Sequence, residues 1–205
     1  MLNNLHFSPS FQKKLLATTT LNDCGKKIPC QIYKLNSPQD TLYLNQQMNS
    51  ENWLGYYYLD TFYSNFAEDK FYTSPYINFY TLENEKGDLL GYLEEMKNEN
   101  IRKVLYLETV PTMAKGTKNR RVKGIGETMM AFLASLSLNS EKIEDVWISY
   151  PSNDSELFYK KLGFERPSLK SRSLHLPLEN VLPLIWKNEE RNGSEIKFVE
   201  GNDDK

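Results

Sequence analysis

Between residues 104 and 138 an apolar strand, a basic loop and an amphipathic helix follow one another, and this succession restricts the fold more than any other feature. Val104 to Val110 is β-branched and aromatic, with Val104, Tyr106, Glu108 and Val110 expected on one face. Ile125 to about Leu138 puts Ile125, Met129, Phe132, Leu133 and Leu136 on one stripe, as in a helix that lies on a sheet. The loop between them ends in Arg121-Val122-Lys123-Gly124-Ile125-Gly126-Glu127. Glycine lets backbone N–H groups approach a ligand without a Cβ in the way. The first turn of a helix has unpaired N–H groups and a partial positive charge, so it attracts phosphate. Lys115, Lys118, Arg120, Arg121 and Lys123 put five cations in nine residues of a chain whose net charge is −2. A ligand with several phosphates suits such a loop. A dinucleotide fingerprint is excluded, because Met129 stands where its third glycine belongs, and no Gly-Lys-Ser/Thr ending is present for a P-loop.

The other segments organise around this unit. Ile28 to Leu35 reads as a first strand, and Asn36-Ser37-Pro38 as a helix start. The aromatics from Trp53 to Phe71 are spaced as on a helix with one buried face. Tyr76 to Leu82 and Leu89 to Met96 flank Asn84-Glu85-Lys86-Gly87-Asp88, a hairpin signal. Asp145 to Tyr150 is a short strand, Ser155 to Leu162 a short helix and Ser173 to Leu178 a last strand. The order predicts an α/β (α+β) domain over residues 28–180, with an N-terminal appendage at 1–27 and a polar C-terminal tail at 181–205 that frays from residue 187.

Composition narrows the function classes. Apolar residues make up 40% and charged residues 25%, values that fit a folded globular protein rather than a disordered chain. The slightly acidic balance argues against nucleic acid as a partner. No apolar run reaches the ~20 residues of a membrane span, and no signal-peptide pattern is present, so the expected location is cytoplasmic with no membrane partner. Cys24 and Cys30, with His6 and His175 far from them, read as unpaired thiols, and no metal is expected.

Arg121-Val122-Lys123-Gly124-Ile125-Gly126 resembles the coenzyme A loop of the GNAT superfamily, Arg/Gln-x-x-Gly-x-Gly/Ala between a strand and a helix. Asn153 followed by Phe158-Tyr159-Lys160-Lys161-Leu162-Gly163-Phe164 resembles a second segment of the same superfamily, after the next strand. The resemblance covers roughly Ile28 to Pro167. It implies a mixed, mostly antiparallel central sheet with a splayed strand pair, flanked by helices. It also implies acetyl-coenzyme A as co-substrate, without a metal, and direct attack by a substrate amine of unknown identity, on a small molecule, peptide or protein; a homodimer is compatible with it. Cofactor binding then falls to Val110, Arg121, Val122, Lys123, Gly124, Ile125, Gly126, Glu127 and Asn153. Tyr159 matches the tyrosine that often protonates the departing thiolate, and Asn153 is open to a second reading as a helix cap. Glu108 is the carboxylate of the Val104–Val110 strand and is placed to take the amine's proton, with Glu94 and Glu95 competing. The stretch from Pro111 to Arg120 is longer than the usual link, which leaves open which strand residue faces the thioester. Two other functions stand beside this one: a non-catalytic acetyl-coenzyme A sensor, and a toxin-like enzyme acting on aminoacyl-tRNA, which would need a broad basic surface.

Overall fold

The computed structural model describes residues 13–35, 44, 48, 77–110, 122–140 and 144–199. In chain order these form β1 (Lys14–Asp23), β2 (Lys26–Leu35), β3 (Ile77–Asn84), β4 (Leu89–Asn98), β5 (Ile101–Thr109), α1 (Ile125–Leu138), β6 (Asp145–Ile148), α2 (Asn153–Lys161), β7 (Leu174–Leu176), α3 (Leu178–Asn192) and β8 (Lys197–Phe198). The strands make one sheet in the order β7-β6-β5-β4-β3-β2-β1-β8. All neighbouring pairs are antiparallel except β5 and β6, which run parallel. The expected α/β arrangement, mostly antiparallel and mixed, is therefore present. The expected helix within residues 53–71 and the loop 111–120 lie outside the described residues.

Local chemistry accounts for the hairpins. Cys24 and Gly25 both have positive φ (51° and 94°), the two-residue turn whose twist matches a right-handed strand pair. The Asn22 side chain accepts from the Gly25 N–H at 2.8 Å. Between β3 and β4, Asn84 Oδ1 accepts from the N–H groups of Lys86 and Asp88, and Gly87 takes φ 82°.

Two ends of the chain differ from expectation. Residues 14–23 do not stand apart from the sheet: they pair with β2 from Lys14↔Lys34 to Asp23↔Lys26. Their threonines read as polar in composition, yet threonine is β-branched and fits a strand, and Ala17, Thr19 and Leu21 face the core. Nor does the tail begin at 181 or fray from 187. α3 buries Val181, Leu184, Asn188 and Asn192, and Phe198 of β8 stacks on Phe132 with centroids 5.9 Å apart. Buried asparagines are invisible to a hydropathy reading because hydrogen bonding, not apolarity, lets them enter the core.

The sheet has a core on each face. On one, α1, α2 and α3 pack around Leu93, Val104, Met129, Phe132, Tyr159 and Leu184. On the other, Leu35, Leu44, Met48, Phe79, Leu89, Tyr92 and Val110 gather. A buried ion cluster holds the start of β6 against β5. Arg102, 2% exposed, binds Glu95 at 2.7 Å and also pairs with Glu144, just before β6. Tyr80 and Asn78 donate to Glu95 at 2.6 and 3.1 Å.

Candidate active site

The parallel pair is the key to the site. β5 and β6 are in register only from Ile101↔Asp145 to Val104↔Ile148, and the final bond runs from the Ser149 N–H to the Val104 carbonyl at 3.2 Å. β5 then continues to Thr109, whereas the segment after β6 turns away at Tyr150, whose φ is 46°. The two strands therefore part, and among the described residues the second half of β5 has no partner on this edge.

A bulge coincides with the parting point. Val104 and Tyr106 oppose the consecutive residues Glu95 and Glu94, so Leu105 is the extra residue. This overturns the expectation that Val104, Tyr106, Glu108 and Val110 share a face. Val104 belongs to the core under α1, whereas Tyr106 and Val110 pack on the opposite core. The Val110 N–H is already donated to the Leu90 carbonyl at 3.0 Å. Alternation then turns the N–H groups of Leu107 and Thr109 toward the open edge. Val110 contributes a buried side chain at the end of the strand and has no free amide.

At the mouth of this cleft α1 begins. Gly124 is its N-cap, with φ 87° and no side-chain cap, and the first intrahelical bond runs from Thr128 N–H to Gly124 carbonyl at 2.8 Å. The N–H groups of Ile125, Gly126 and Glu127 are left without a partner in the helix. Val122 and Ile125 are anchors: both are 3% exposed, and Ile125 sits so low on the sheet that a Cβ on Gly91 would lie 2.7 Å from its Cγ2. Only their backbones are available to a ligand. Lys123 is exposed. A Cβ at Gly126 would meet the Phe158 ring at 3.2 Å and Leu107 at 3.8 Å, so this glycine brings α1, α2 and β5 together. Glu127 is buried and pairs with Arg191 of α3. Arg121 lies outside the described residues.

α2 supplies the aromatic side. Tyr159 is 6% exposed and meets Phe158 and Phe164 edge-on, at 5.0 and 5.8 Å between centroids. Burial pushes its phenol up to about 12. Asn153 is exposed at the first position of α2, and the cap is Ser152, which accepts from the Ser155 N–H at 3.2 Å.

The face of β4 and β5 away from α1 carries two crossed Tyr–Glu pairs. Tyr92 opposes Glu108, and Glu94 opposes Tyr106. Along each strand the tyrosine donates to the glutamate two residues on: Tyr106 to Glu108 at 2.9 Å, Tyr92 to Glu94 at 3.2 Å. Glu108 is partly exposed. Glu94 is fully buried, one of its oxygens has no partner among the described residues, and burial pushes its carboxyl up to about 7. Glu95 belongs to the ion cluster on the other face, which removes it from contention as a base. Among the described residues no group of three metal-ligating side chains occurs, and no helix is long and apolar enough to cross a membrane.

No protein-family model matches the sequence, and no curated protein does. Solved structures do match. A protein of Exiguobacterium sp. 255-15 assigned as an acetyltransferase aligns over 75% of this chain and 96% of its own, at 15% identity and a TM-score of 0.51. A protein of Desulfovibrio desulfuricans assigned to the GNAT family aligns over 71% and 96%, at 12% identity and the same score. The chain has the GNAT fold.

Within the GNAT fold the sequence reading brought Gly124, Ile125, Gly126 and Glu127 to the helix entrance and Tyr159 to its flank. The structure puts Glu108 on the face of β5 away from α1, and the Val110 amide is engaged with the Leu90 carbonyl. Sequence reasoning did not reveal that the Leu107 and Thr109 amides face the open edge, which depends on a bulge, or that Arg191, 64 residues beyond Glu127 in a stretch read as tail, meets Glu127.

Proposed function

We propose that the chain is an acetyl-coenzyme A-dependent N-acetyltransferase. The observation that carries this reading is the uncapped N-terminus of α1, opened by Gly124 and Gly126, at the mouth of the cleft where β5 and β6 part. Bare N–H groups and a helix dipole suit the pyrophosphate of coenzyme A. The open edge of β5 offers the Leu107 and Thr109 amides to an extended arm running beside it. The co-substrate supplies an acetyl thioester, which an amine attacks. Holding both reactants in the cleft supplies much of the acceleration.

Two proton tasks fall to the chain. Glu108, partly exposed on the face away from α1, takes the proton of the attacking amine, with the Tyr106 hydroxyl holding the carboxylate in place at 2.9 Å. Tyr159 holds a proton for the sulfur. With its phenol raised to about 12, that proton stays in place until a strong base forms beside it. The acceptor is an amine of a small molecule, peptide or protein. The sensor reading is separated from this one by turnover.

Calorimetry with coenzyme A, followed by an amine panel assayed for thiol release, tests the proposal. Gly126→Val is unsuited to it, because the added methyls would strike Phe158 and Leu107 as well as a phosphate. Gly124→Ala is no better suited, because Gly124 takes φ 87° and an added Cβ there would lie 3.1 Å from Arg191. A wild-type chain without measurable coenzyme A affinity refutes the function, and tight binding without transfer to any amine favours the sensor.

A further inference from the structure

α3 was expected to be tail, yet its last turn reaches the phosphate loop. The Cδ and Nη1 atoms of Arg191 lie 3.1 and 3.2 Å from where a Cβ would stand on Gly124, so the guanidinium lies against the αL glycine that opens α1. Its side chain is 40% exposed, while that of its partner Glu127 is 5% exposed. The pair is joined through Nη1 and Oε2, and the other Glu127 oxygen is buried with no partner among the described residues. Among the described residues the Nε and Nη2 donors of Arg191 meet no acceptor. A guanidinium carries five N–H donors in a planar fork suited to phosphate oxygens. Here a fork with spare donors stands beside three helix N–H groups that also have no acceptor in the helix.

The position of Arg191 is fixed from both sides. Asn192 donates to Thr128 Oγ1 at 3.1 Å and to Asn188 Oδ1 at 3.0 Å, and Thr128 donates to Asn188 at 2.8 Å, all inside the core under the first turn of α1. From the β1–β2 hairpin, Asn22 donates through Nδ2 to the Arg191 carbonyl and through its N–H to Asn192 Oδ1, both at 3.3 Å. Lys27 Nζ donates to the Gly193 carbonyl at 3.3 Å. A carboxylate at an anion-binding helix start would by itself repel the anion. Buried against Arg191, Glu127 holds the guanidinium in place and is neutralised by it.

We propose that Arg191 is the side-chain cation of the phosphate site, donating to an oxyanion at the N-terminus of α1, with Glu127 as its positioning residue. This rests on the coenzyme A reading given above, and the experiment separates the two. Calorimetry on the full chain would use coenzyme A, pantetheine (which lacks the pyrophosphate and nucleotide) and inorganic pyrophosphate. Arg191→Gln should weaken coenzyme A and pyrophosphate by about tenfold or more, since hydrogen bonds to charged groups are the strong ones. Pantetheine affinity should not change. Should Arg191→Gln fail to fold, Arg191→Lys carries the same test, because it keeps the charge and loses the fork.

Wild-type coenzyme A affinity in a folded Arg191→Gln chain overturns the proposal. So does an equal loss for coenzyme A and pantetheine, which would mark Arg191 as a packing residue. Arg191-dependent pyrophosphate binding without coenzyme A binding upholds the anion site and refutes the acetyltransferase reading. A wild-type chain that binds neither overturns both.

Discussion

Two titratable side chains, Tyr159 and Glu94, have been moved far from their ordinary values by burial, against which Glu94 keeps only the Tyr92 hydrogen bond, and each makes a measurable claim. Tyr159 keeps its proton up to about pH 12. As general acid it should lose about 10²–10⁴-fold in kcat on Tyr159→Phe, and the deficit should be constant from pH 6 to 10, because the phenol does not ionise in that range. A Phe variant that turns over an accepted amine at the wild-type rate makes Tyr159 a packing residue. Glu94, raised from 4.5 to about 7, favours the fold in its protonated form. Its contribution is therefore full below the ordinary carboxylate range and is lost as pH rises through about 7. On the scale of 1.36 kcal/mol per unit, the loss is at most about 3 kcal/mol. Denaturant titrations at pH 5 and pH 8 should show that difference in the wild type and much less of it in Glu94→Gln.

At the scale of elements, the closest contact in the site is α1 on β4. Gly91→Ala would put a Cβ 2.7 Å from Ile125 Cγ2, against a helix held from both sides, and should cost about 1–3 kcal/mol. Ile125→Leu removes that methyl, so the double variant should recover part of the loss; simple additivity in thermal melts would contradict the contact. The ion cluster gives a second case. Arg102→Met takes away the cation from Glu95 and leaves Glu144 with Lys97 at 3.1 Å, and breaking a buried pair from one side costs about 3–5 kcal/mol.

Elements are also where the sequence was most legible. The β3–β4 hairpin, β5, α1, β6, α2 and β7 all lie within a few residues of where periodicity and turn chemistry put them, because each is a run whose apolar side is buried locally. β1 escaped notice because Thr18-Thr19-Thr20 looks like a polar stretch. α3 escaped because Asn188 and Asn192 enter the core through Thr128, a partner 60 or more residues away. The bulge at Leu105 is set by opposing register, and it moved Tyr106, Glu108 and Val110 to the face opposite Val104. Gly124 and Gly126 could be read because glycine in that position has a backbone meaning; Arg191 could not, because nothing in a charged helix end tells which loop it will meet.

For the whole molecule, charge is the accessible variable. Coenzyme A is polyanionic, the chain is net −2, and the cations of residues 115–123 sit beside the loop in sequence. Raising ionic strength from 0.05 to 0.5 M should weaken coenzyme A binding if they act, since screening sets in over about 10 Å at 0.1 M. An affinity independent of salt would make them a solvated surface.

The pairing of β8 with β1, and the docking of α3 onto α1, also bear on how the protein is made. During synthesis β1 and β2 precede Gly124, but Arg191 and the asparagines that fix it are translated after every described strand except β8. The first turn of α1 therefore lacks its cation while most of the sheet is already synthesised. Nascent chains arrested before residue 178 should be unable to retain coenzyme A, and competence should arrive late and abruptly as α3 docks.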